Sequence, residues 1–195
     1  MASHHKAPEL ERDGWQVTFL DVLLALAIIL LVLVHPPKAD DDTPPPGQIV
    51  VEIAWPADCP ADVDLWTKAP GDRPVGYSNR GGKVFNLLRD DLGHVNDASG
   101  QNYEHAITRG APDGEYAVNV HLYAPKGCPL PITVHCRVSL RSQTGAMTRI
   151  HEGTAALEHS GQELTLVRFS MRDGQLVPGS IHDIPVALRS GWGSQ

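Results

Sequence analysis

The sequence predicts a single N-terminal transmembrane helix followed by an all-β domain. Three observations lead there. Residues 17–34 form an apolar run interrupted by one charge, Asp21. Residues 36–47 are rich in proline and aspartate. From Gln48 onward, apolar residues alternate in short runs punctuated by Gly and Pro, with no sustained helical period.

Residues 1–14 are polar and read as a short tail. The 18 positions from Val17 to Val34 make about 27 Å of helix at about 1.5 Å per residue, enough to cross a hydrocarbon core. The span is placed at 15–35, with Trp15 at the near interface. A cleaved signal peptide would share this position and the preceding Lys6 and Arg12. Signal h-regions are usually shorter, however, and end in a small-residue cleavage site, whereas this run continues into His35-Pro36-Pro37-Lys38, so an uncleaved anchor is favoured. Lys6 and Arg12 favour a cytoplasmic N-terminus. The remainder then lies outside, in the periplasm if the membrane is a bacterial inner membrane. In polyproline geometry, at about 3.1 Å per residue, the linker 36–47 extends roughly 30 Å or more.

The domain occupies 48–189, followed by a short tail, 190–195. Strands are expected at 49–55, 62–67, 75–78, 83–88, 103–108, 116–123, 132–140, 147–155, 163–171 and 181–188. Asp113-Gly114 and Asp173-Gly174 supply turn chemistry beside two of them. Many short strands with frequent Gly and Pro favour an antiparallel β-sandwich, loosely immunoglobulin-like.

The balance of 16 Lys+Arg against 23 Asp+Glu gives a formal charge of -7. With no basic stripe, nucleic acid is excluded as the main partner. Cys136 sits in alternation with Ile132, Val134, Val138 and Leu140 and reads as a buried small hydrophobe. Cys59 and Cys128 each precede a proline in a loop-like segment, and an oxidising compartment would allow them to pair.

An aspartate near the centre of a membrane helix costs about 2.5 to 3.5 kcal/mol and is by default a functional-site hypothesis. On a helix, Asp21 shares a face with Thr18 and Ala25, and the small Ala25 permits close approach by a partner. Shielding of a carboxylate favours its protonated form, which would let such a group load and release a proton. The competing reading places Asp21 near enough to the interface, six residues after Trp15, to reach headgroup water and do nothing.

The segment Phe19-Leu20-Asp21-Val22-Leu23-Leu24 resembles the transmembrane helix of the ExbD, TolR and MotB family, the ion-channel-forming subunits of proton-driven motors. The resemblance covers about residues 15–35. It implies a dimer of this helix inside a ring of five copies of a multi-span partner like ExbB, TolQ or MotA, with Asp21 as the ion-carrying site. The outer domain departs from that family: it lacks a MotB-type peptidoglycan-binding pattern, and its β-rich reading differs from the small mixed domain of ExbD or TolR. Its target would be another envelope component.

Within the outer domain, Asp62-Val63-Asp64-Leu65-Trp66 and the later Asp90-Asp91 stand out. An Asp-x-Asp-Leu strand followed by acidic turns is similar to some bacterial extracellular β-sandwich modules, several of which bind calcium. Alternation puts Asp62 and Asp64 on one side of a strand, where Asp90 or Asp91 could join them around a calcium ion. The plainer reading is solvated turn acids and strand-end caps, because no contiguous loop fixes the ligands. The histidines form no metal signature, and neither Gly-x-Ser-x-Gly nor His-Glu-x-x-His occurs, so nothing supports an enzyme. The leading expectation is a membrane motor or energy-transducing subunit. The alternative is a membrane-anchored periplasmic binding module with a passive helix.

Overall fold

The computed structural model describes residues 10–34, 47–92, 100–142 and 144–189. Within the N-terminal helix it describes side chains for 15–31. Most of the tail 1–14 and linker 36–47, and the whole C-terminal tail 190–195, therefore lie outside the described residues. The chain divides into two compact units, Met1–Asp42 and Thr43–Gln195.

The first unit holds helix α1, Leu10–Val34. Its described side chains are all exposed, among them Trp15, Phe19, Leu24 and Ile29. Among the described residues, no helix is long and apolar enough to cross a membrane. The structure therefore establishes a helix here rather than a membrane span.

The second unit is an antiparallel two-sheet sandwich. Its strands are β1 Ile49–Ala54, β2 Asp62–Lys68, β3 Phe85–Arg89, β4 Tyr103–Thr108, β5 Gly114–Ala124, β6 Ile132–Arg141, β7 Met147–Leu157, β8 Glu163–Arg172 and β9 Gln175–Leu176. One sheet runs β3-β4-β1-β6-β7 and the other β2-β5-β8-β9. The first strand thus lies between β4 and β6, whereas the immunoglobulin order keeps it at a sheet edge. The sandwich architecture holds, with a different strand order.

Period-two alternation builds the core. Ile49, Val51 and Ile53 of β1 and Val134, Cys136 and Val138 of β6 are buried in one cluster with Tyr116, Val118, Val120 and Leu122 of β5 and Val167, Phe169 and Met171 of β8. Tyr116 stacks on Phe169 with ring centroids 5.2 Å apart and meets Phe85 edge-on at 6.1 Å. Its hydroxyl donates to the Pro112 carbonyl at 2.7 Å, so the ring is buried without stranding its polar end. A disulfide joins Cys59, in the loop after β1, to Cys128, in the loop after β5.

Two expected strands are not formed. Segment 75–78 makes only the isolated bridges Thr67↔Val75 and Gly76↔Asn79. Its backbone instead lies against the Trp66 indole, so closely that a Cβ on Gly76 would sit 2.5 Å from the ring. Segment 181–188 makes one bridge, Arg168↔His182, and Pro185 has no N–H to offer a ladder. It runs instead as a strap held by side chains. Asn119 donates to the Val186 carbonyl at 2.6 Å, and Glu163 accepts from the Leu188 N–H at 2.8 Å. Leu188 packs with Trp66 and Ala117, so this outer face of β2 and β5 is covered as well.

Candidate functional site

Strand β2 explains why carboxylates become buried here. Alternation sends Val63, Leu65 and Thr67 to the inner face and Asp62, Asp64 and Trp66 to the other, yet all six are buried. Asp64 stands opposite His121 of β5. The imidazole Nδ1 meets Asp64 Oδ2 at 2.8 Å, with both side chains almost fully shielded. His121 Nε2 is buried without a partner.

On β4, the buried positions are Glu104, Ala106 and Thr108. Glu104 is fully buried, and its two oxygens accept from the Leu65 N–H at 2.7 Å and the Asp91 N–H at 3.1 Å. It therefore caps both an N–H of edge strand β2 and the chain leaving β3. One carboxylate oxygen from each of Asp64, Asp90 and Glu104 lies within 4.8 Å of the others.

Burial, opposed by the hydrogen bond from His121 and reinforced by the charges of Asp62 and Asp90, raises the Asp64 pKa. Burial also holds Glu104 well above the usual carboxylate range; the Leu65 N–H opposes this, and the charges of Asp64 and Asp90 add to it. A cluster of this kind resists being fully ionised unless a cation compensates it.

Of the four acids considered for calcium from the sequence, the structure brings Asp64 and Asp90 together and engages the other two elsewhere. Asp62 Oδ2 takes the Lys126 ammonium at 3.0 Å, and Lys126 also donates to the Leu92 carbonyl at 2.7 Å. Asp91 Oδ2 takes Arg89 Nη2 at 2.9 Å and the Tyr103 N–H at 3.2 Å. Glu104 is the member that sequence reasoning missed. A signal was present: a charged residue on the same alternating face as Ala106 and Thr108 is rarely buried without a partner or task.

On α1, Asp21 is exposed and lies on the helical face shared by Thr18 and Ala25. The Thr18 hydroxyl donates to the Trp15 carbonyl at 3.1 Å, a local bond within the helix. Cys136 is buried and free. Burial pushes its thiol up to about 12, where it is inert at neutral pH.

No family model matches the chain, and neither a curated protein nor a solved structure shows significant similarity to it.

Proposed function

We propose that the chain is a non-enzymatic subunit of a proton-motive-force-driven membrane complex, resembling ExbD, TolR and MotB in its helix, with Asp21 as the ion-carrying group. One observation carries the reading: Asp21 is the sole charged residue among the described side chains of α1, and apolar side chains stand exposed on every side of that helix. A helix apolar all round needs a nonaqueous surrounding. The apolar run also continues past the described side chains to Val34, the length a single span needs.

In this reading the span is 15–35 in a bacterial inner membrane, with the N-terminus cytoplasmic and the sandwich periplasmic. Two copies stand within five copies of a multi-span partner like ExbB, TolQ or MotA. Thr18 and Ala25 flank the carboxylate on the face that meets the partner. Passage of one charge makes about 2.3 kcal/mol available per 100 mV. The sandwich transmits the resulting movement to an envelope component.

The test is Asp21→Asn in the co-purified complex reconstituted in vesicles. Expected are unchanged insertion and stoichiometry with proton flux reduced to background. Full flux in the variant, or a chain that purifies as a monomer without a membrane partner, overturns the proposal. The second reading, a passive tether for a binding module, is favoured by the self-contained core of the sandwich, and a chain that purifies without a membrane partner and supports no flux would select it.

A further inference from the structure

We infer that Asp64, Asp90 and Glu104 form a calcium site that fastens β2 of one sheet to β4 and the end of β3 in the other. Three oxygens bound to one ion at about 2.4 Å can be no more than about 4.8 Å apart, and the carboxylate oxygens of this triad meet that limit.

The acids around the triad are compensated by the protein itself. Asp62 has Lys126, and Asp91 has Arg89. Neither cation bonds to the inner three.

Two further observations point to a ligand. Asp90 has no hydrogen-bond or ion-pair partner among the described residues, and its Oδ1 is sealed from solvent. Asp64, only 3% exposed, has Oδ2 engaged by His121, which leaves Oδ1 available as a ligand. A carboxylate oxygen buried without a donor is costly, and a cation among the three removes that cost at once.

The donor set selects the ion class. Every available ligand atom is a carboxylate oxygen, the preference of a hard cation, and the ligands come from two strands and the segment just after a third, which suits the irregular shell of calcium better than the tight octahedron of magnesium. The nearest imidazole nitrogen, His121 Nδ1, is already bonded to Asp64, so it orients a ligand rather than serving as one. The inference concerns the outer domain and is independent of Asp21, so either reading can fail without the other.

The experiment is calorimetric titration of the full chain in detergent, stripped with chelator, with calcium chloride and separately with magnesium chloride, alongside thermal unfolding of the domain. Expected are one calcium per chain, a higher midpoint with calcium, and weaker binding of magnesium. Asp90→Asn is the decisive variant: it removes a charge without breaking any hydrogen bond recorded for that side chain, and should weaken calcium binding by about tenfold or more while the chain still folds. Glu104→Gln should weaken it comparably but also lower the calcium-free midpoint, because it disturbs the caps on Leu65 and Asp91. Absence of calcium binding by the folded chain up to about 10 mM, above the range of weak extracellular modules, overturns the inference. So does unchanged affinity in Asp90→Asn.

Discussion

Helix α1 and the sandwich solve the problem of apolar surface in opposite ways. Along α1, Phe19, Leu24 and Ile29 are each more than half exposed. In the sandwich, Ile53, Val120 and Phe169 are completely buried by their own sheets. The sandwich makes its own interior from two alternating faces, whereas the described side chains of α1 are left exposed. Sequence periodicity encodes the first arrangement; continuous apolarity encodes the second.

That contrast can be broken by experiment. The largest expected effect is on the core: Phe169→Ala removes the ring stacked on Tyr116 and should lower domain stability by about 3 to 5 kcal/mol. Denaturant unfolding would measure it, with recovery of the chain in membranes unchanged. Next comes Leu24→Lys on α1. It should cost insertion about 3 kcal/mol, read as loss of the carbonate-resistant membrane fraction, while the unfolding midpoint of the sandwich stays fixed. A fall in that midpoint would mean that the two units share their stabilisation. The smallest is the double replacement Cys59→Ser with Cys128→Ser, expected to cost the sandwich about 2 to 4 kcal/mol by releasing a long loop in the unfolded chain. Insertion of α1 should not respond.

Much of the sandwich was legible because strand alternation is a local property. The strands carrying Val51, Val134 and Val118 lie where period two puts them, and Asp62 and Asp64 do share a face of β2. What alternation cannot reveal is whether the second face of a strand is covered. Trp66 is buried because Gly76, Tyr77 and Leu188 close over it, and all three come from segments that look like strands in sequence. Their glycine and proline content, read as punctuation between strands, in fact marks covering loops. The acidic site was half legible for a related reason. Asp90 and Asp91 are adjacent at the end of β3, where alternation no longer decides which one turns inward. Glu104 is distant in sequence and joins Asp64 only because β2 and β4 meet across the two sheets. The pairing of Cys59 with Cys128 likewise depends on two loops brought together by the completed fold. For Asp21 only the anomaly is legible in the sequence: one charge in a long apolar run is conspicuous without any tertiary information.

The position of β1 has a mechanical consequence. It is the first strand after the linker and is hydrogen-bonded on both sides, to β4 and to β6. Tension applied at Gly47 along this strand loads two ladders in parallel and in shear, so their bonds must fail together rather than peel open one by one. Just beyond its far end, the Cys59–Cys128 bond stops the strand from being drawn out of the sheet. A domain pulled through its N-terminus is thereby gripped at a strand held on both sides.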